Sequence, residues 1–121
     1  MATILIADDE QSFRSLLFEA LQSAGHDVIV ATNGEEALSL ATAHTGDIPL
    51  IVTDFSMPGI SGIELLREIR KSRPGIKAIL LTGHWIHPLP QQLDVVYLMK
   101  PCPISKFLNA VRDLLGAGDA T

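Results

Sequence analysis

The chain has 121 residues, 47% of them apolar, and a formal net charge of −5, a size and composition that suit one globular domain with its own core and exclude a disordered segment. The acidic balance argues against direct nucleic-acid binding, no apolar run reaches the ~20 residues that span a bilayer, and the N-terminus lacks the basic segment and cleavage site of a signal peptide. The single cysteine, Cys102, has no internal disulfide partner and fits a reducing, cytoplasmic setting.

Apolar runs and helical patterns alternate along the chain. "TILIA" at 3–7 is a short continuous apolar run, as expected of a strand buried on both faces. Phe13, Leu16, Leu17, Ala20, Leu21 and Ala24 then recur at helical spacing, with Gly25 as the stop signal. "DVIVA" at 27–31 predicts a second strand, and 33–43 a helix with Asn33 as its cap and Ala37, Leu40 and Ala41 on one face. A third strand is expected at 48–54, a helix at 62–72 closed by Pro74-Gly75, a fourth strand at 76–82 and a fifth at 95–99. Ile104, Phe107, Leu108, Val111, Leu114 and Leu115 mark a last helix. Five strands alternating with helices predict a doubly wound parallel sheet with right-handed crossovers.

The crossover from the fourth strand to the fifth breaks the pattern. "HWIHPLPQQ" carries Pro88 and Pro90, and a proline inside a helix costs roughly 3 kcal/mol. A short, irregular or absent fourth helix is predicted there, with Trp85 and Ile86 left exposed. Residues 116–121, small and polar, are expected to be a flexible tail or the start of a linker.

In open parallel sheets ligands bind beyond the carboxyl ends of the strands, where the strand order reverses. The first strand ends at Asp8-Asp9, the third at Asp54, the fourth at Thr82 and the fifth at Lys100. Carboxylates held ~4 Å apart repel by about 4 kcal/mol per pair at an effective dielectric near 20, so the cluster calls for cations. Lys100 supplies one charge. An all-oxygen donor set points to Mg²⁺ for the rest. A carboxylate beside Mg²⁺ and a lysine can attack a phosphoryl group and become an acyl phosphate, and Asp54, leaving its strand directly into the open turn at Met57-Pro58-Gly59, is the candidate nucleophile.

The order and spacing of "ADDE", "ATNGEEAL", "VTDFSMPGISGIELL", "LLTGH" and "YLMKP" resemble the receiver domains of bacterial two-component response regulators, with similarity over 3–115. The resemblance implies a flavodoxin-like strand order 2-1-3-4-5 and a receiver domain over 1–115. It implies that Asp54 is the phosphoacceptor, that Asp9 is a direct Mg²⁺ ligand with Asp8 acting mainly through water, and that the Ser56 backbone carbonyl is a further ligand. Thr82 and Lys100 are implied to contact the phosphoryl group, Lys100-Pro101 to be a cis peptide, and Tyr97 to turn inward as Thr82 moves. The implied partners are a sensor histidine kinase or phosphotransfer protein as donor and an output domain or partner protein. The implied activity is self-promoted, Mg²⁺-dependent phosphorylation and dephosphorylation, with no metabolite turned over.

Plainer readings stand beside these. Asp8-Asp9 are good caps for the first helix, Thr82 is an ordinary strand residue, Lys100 could be a solvated strand end, and Tyr97 a half-buried strand aromatic with a wet hydroxyl. Cys102 reads as a packing residue; with His84 and His87 it lacks a recognised zinc spacing. A binding module that has lost phosphorylation would lack an acid, the threonine or the lysine, and none is missing. An aspartyl phosphatase needs a second acid two residues after the nucleophile, where this chain has Ser56. FMN binding is disfavoured because the first strand leads into no phosphate loop.

Overall fold

The computed structural model describes residues 2–83 and 95–116. Five strands, β1 (Thr3–Ala7), β2 (Asp27–Ala31), β3 (Leu50–Asp54), β4 (Lys77–Thr82) and β5 (Val96–Met99), form one sheet in the order β2-β1-β3-β4-β5, every pairing parallel. The described helices are α1 (Gln11–Ser23), α2 (Gly34–Ala43), α3 (Gly62–Ser72) and α4 (Ile104–Leu115). The expected fold class and strand order are those observed. The expectation of a short fourth helix between β4 and β5, the exposure of Trp85 and Ile86, and the zinc alternative through His84 and His87 all lie outside the described residues, as does the tail beyond Gly116.

The near-continuous apolar strands are explained by two cores, one on each face of the sheet. Side chains alternate along a strand with period two. Leu5, Ala7, Ile51, Ala78 and Leu80 therefore face α2 and α3, packing with Ala37, Ala41, Leu65, Leu66 and Ile69. Ile4, Ile6, Leu50, Val52, Ile79, Leu81 and Leu98 face α1 and α4, packing with Leu17, Leu21, Phe107 and Val111. Truncating a fully buried residue such as Phe107 to alanine would cost roughly 3–5 kcal/mol.

Local chemistry sets the element ends. α1 closes at Ala24 and Gly25, where the Gly25 N–H meets the Gln22 carbonyl and the His26 N–H meets the Leu21 carbonyl, the paired bonds of a Schellman ending. Asn33 caps α2 by accepting from the Glu36 N–H at 2.7 Å, as expected. α3 opens on a full capping box, Ser61 with Glu64. β3 starts at Leu50, two residues later than expected, because Pro49 has no N–H to give the ladder.

Candidate functional site

The strand order places β1 and β3 side by side at the centre, with β2 beyond β1 and β4 beyond β3. The chain switches direction between them, so the crevice opens over the carboxyl ends of β1 and β3. Backbone bonds prolong the ladder past the strand ends and fix the residues just beyond them. The Asp8 N–H donates to the Ala31 carbonyl at 3.2 Å, the Phe55 N–H to Leu81 at 2.8 Å and the Lys100 N–H to Thr82 at 2.7 Å. Asp8, Asp54, Thr82 and Lys100 are thus set at one edge by the sheet itself.

The turn after β3 is held from inside and out. Met57 is buried in the core, and Gly59 takes a positive φ of 84° that a side chain would strain. At the start of α3, a Cβ on Gly62 would strike the Asp54 carbonyl and the Leu80 side chain. Glycine there lets the helix approach the strand that carries Asp54, and the Gly62 N–H bonds the Phe55 carbonyl at 2.9 Å.

Asp8, Asp9 and Asp54 each offer a carboxylate oxygen within 4.8 Å of the others. Their settings differ: Asp8 is fully buried, Asp54 half-buried and Asp9 exposed. Asp8 accepts from the Glu10 N–H through Oδ1 at 2.9 Å and from Lys100 Nζ through Oδ2 at 3.1 Å. The N-cap of α1 is Glu10, so Asp8 fastens the turn just before the helix and holds the lysine as well. Lys100 Nζ also lies 3.3 Å from Asp54 Oδ2 and 4.5 Å from the centre of the Phe13 ring. A cleft of about 540 Å³ opens over the cluster, lined by Asp9, Glu10, Asp54, Phe55, Ser56, Thr82, Gly83 and Lys100.

Burial pushes the Asp54 carboxyl above its ordinary value; the Lys100 charge works against this and the Asp8 charge with it, while the Ser56 backbone N–H eases it slightly. Burial alone would lower the Lys100 ammonium, but its hydrogen bonds and charge pairs with Asp8 and Asp54 outweigh that and raise it. The lysine is therefore held charged while one carboxylate beside it is held against its preference, and it neutralises only one of the three acid charges. The donor set suits a hard divalent ion: oxygen ligands alone, and an open side where water can complete the shell. This is the chemistry expected for Mg²⁺.

Thr82 is buried and lines the cleft, and exposed Ser56 lines it beside Asp54. The Lys100-Pro101 peptide is cis. Tyr97 lies lower on β5, partly buried against the α2/α3 core, and burial raises its phenol. Cys102 is a buried packing residue on the opposite face, its thiol pushed up by burial. Two residues of the site were not singled out by the sequence pattern. Glu10 continues the acid run of Asp8-Asp9, a signal that was visible. Phe13 reads only as one apolar position of α1; nothing in the linear pattern ties it to Lys100.

The family profile described as response regulator receiver domain matches residues 4–112. Among curated relatives, the sensor kinase CckA of Brucella abortus is 34% identical over 98% of this chain, a match that spans 13% of that protein. The chain spans 52% of a transcriptional regulator matched at the same identity, so these relatives are longer proteins. A solved receiver domain protein from Clostridium thermocellum superposes with a TM-score of 0.87 at 31% identity, covering 95% of this chain and 94% of that one. The response regulator TrrA of Thermotoga maritima, solved in complex with Mg(2+)-BeF, gives 0.81 at 38% identity, over 94% and 99% of the two chains; a second structure, at 37% identity, a TM-score of 0.81 and coverage of 96% and 100%, has TrrA in complex with the histidine kinase ThkA. With a family profile matched over residues 4–112, relatives above 30% identity along nearly its whole length and a fold that superposes on solved receiver domains, the chain belongs to the response regulator receiver domains, the phosphoryl-transfer signalling modules of two-component systems.

Proposed function

We propose that Asp54 is the phosphoacceptor, taking its phosphoryl group from a phosphohistidine on a sensor kinase or phosphotransfer protein. The observation that carries this is Lys100 Nζ bridging Asp8 and Asp54 within a three-carboxylate cluster at the switch point of the sheet. An Asp54 carboxylate oxygen attacks phosphorus, and the O–P bond forms as the donor's N–P bond breaks. The electron pair stays on the departing imidazole, which takes up a proton. Lys100 offsets charge on the phosphoryl oxygens, and the Thr82 hydroxyl donates to one of them. A bound Mg²⁺ would supply further screening of the repulsion between carboxylate and phosphoryl oxygens.

Asp9, Asp54 and the Ser56 carbonyl would hold that ion directly. Asp8, whose two oxygens already serve Glu10 and Lys100, would act through water. Water attacking phosphorus breaks the bond from phosphorus to the Asp54 oxygen, releases inorganic phosphate and returns Asp54 to a carboxylate, so the domain also promotes its own dephosphorylation. Thr82 and Tyr97 relay the phosphorylated state to an output domain or partner protein, making the domain a two-state switch. The receiver extends over 1–115, with the residues beyond it forming a tail or a linker, and works in the cytoplasm without touching nucleic acid itself. The complex of TrrA with a histidine kinase supports the kind of partner.

Incubation with a small acyl-phosphate donor and Mg²⁺ should add the mass of one phosphoryl group. Asp54→Asn should abolish the addition and chelation should suppress it. Undiminished labelling of Asp54→Asn would place the nucleophile elsewhere.

A further inference from the structure

The ammonium of Lys100 has an aromatic ring, Phe13, among its neighbours as well as two carboxylates. Lys100 Nζ has three N–H groups. Asp8 Oδ2 lies 3.1 Å away, Asp54 Oδ2 3.3 Å away, and the Phe13 ring centre 4.5 Å away. The face of an aromatic ring carries partial negative charge and attracts a cation within about 6 Å. Water dissipates little of that attraction here, because the Lys100 side chain is only 18% exposed.

The three partners respond differently to phosphoryl transfer. One Asp54 carboxylate oxygen becomes the bridging oxygen of a mixed anhydride, and the negative charge that Lys100 faced there moves out to the phosphoryl oxygens. Asp8 is shared with whatever cation enters the cluster. The ring face stays as it is. Phe13 is itself fixed in place, packed against the core between α1, α4 and the sheet. The next residue, Arg14, donates through Nη1 to the Asp8 carbonyl at 2.9 Å, fastening this turn of α1 to the loop after β1.

We infer that Phe13 is a positioning residue for Lys100: its ring face keeps the ammonium over the crevice while the two carboxylate partners are drawn into the reaction. The inference rests on the reading of Asp54 as phosphoacceptor. It makes phosphoryl transfer depend on the electron density of a ring that touches no phosphoryl oxygen. Phe13 would do none of this if it served packing alone.

The test uses the full chain with Phe13 replaced by 4-fluoro-, 3,5-difluoro- and 3,4,5-trifluorophenylalanine, which drain the ring face with little change of shape. Labelling by a small acyl phosphate in Mg²⁺ is followed by intact mass. The rate should fall stepwise along the series at an unchanged melting temperature. Phe13→Leu, which keeps apolar bulk but has no ring, should be slower by about threefold to tenfold, and Phe13→Tyr should restore most of the rate. A flat fluorination series, or a Phe13→Leu chain labelled as fast as wild type, would overturn the inference alone. A wild-type chain that takes no label would overturn the Asp54 reading and this inference with it.

Discussion

Asp54 is held in a state it does not favour. Burial and the neighbouring Asp8 raise its carboxyl, and one lysine does not undo this. A carboxyl whose folded pKa lies above its unfolded value favours folding only while protonated; that contribution is lost as pH rises through the folded pKa. At neutral pH the ionised form therefore weighs against the folded state. Asp54→Asn should raise the melting temperature of the chelated, metal-free protein at pH 7, and thermal melts of the two chains compared at pH 7 and pH 4 should show the gain shrinking at the lower pH. A melting temperature that drops at pH 7 would mean the pair with Lys100 outweighs burial. His26 shifts the other way. Burial, first, lowers its imidazole, and Nδ1 accepts the Ala2 N–H at 3.2 Å, which only the unprotonated nitrogen can do. The unfolded chain then binds the proton more readily, so stability should fall as pH drops below the ordinary histidine value near 6.5. His26→Gln should lose less stability than wild type between pH 7.5 and pH 5.5 in denaturant titrations.

At the scale of elements, the site depends on how α3 leaves β3. The capping box of Ser61 and Glu64 satisfies backbone donors at the start of α3, and Gly62 lets that helix sit against the Asp54 carbonyl. Ser61→Ala should cost about 1 kcal/mol of stability and leave phosphoryl chemistry largely intact. Gly62→Ala should cost roughly 1–3 kcal/mol and also slow labelling of Asp54, because the new methyl group pushes on the carbonyl of the reacting residue. Denaturant melts paired with labelling rates separate the two: a Gly62→Ala chain destabilised as expected but labelled at the wild-type rate would show the junction to be structural only. Elsewhere basic side chains close helix ends, as Arg73 does by donating to the Ala41 and His44 carbonyls at the end of α2, and Lys77 to Leu114 near the end of α4. These contacts tie the far end of the sheet together, away from the crevice.

At the scale of the molecule, folding gathers three acids from the ends of two neighbouring central strands. Any ion that binds this arrangement and not the unfolded chain stabilises the fold by linkage, by about 2.7 kcal/mol at a hundredfold excess over its dissociation constant. Mg²⁺ should therefore raise the melting temperature at neutral pH in a saturable way. Asp9→Ala, at the exposed mouth, should weaken binding more than Asp8→Ala, whose oxygens are already engaged. Isothermal titration of both variants checks this, and equal losses would undo the division between direct and water-mediated ligands. Among the described residues no helix is long and apolar enough to cross a membrane.

The sequence by itself determined the alternation of strands and helices, because a strand buried on both faces must read as a continuous apolar run and each amphipathic helix must repeat near 3.6. It also placed Asp8, Asp9, Asp54, Thr82 and Lys100 at strand ends, which in a parallel sheet is already a statement about where they meet. Tertiary structure decided the rest. The division of Ile4 and Ile6 from Leu5 and Ala7 between two cores depends on which helices cover which face, and a run apolar at every position cannot say so. The buried, doubly engaged state of Asp8 beside the exposed Asp9 depends on the turn that meets Lys100, and adjacent identical letters carry no sign of it. Phe13 under Lys100 was invisible for the same reason: a contact between α1 and the end of β5 exists only once the sheet has brought the chain's two ends together, and local periodicity holds no information about distance across the fold.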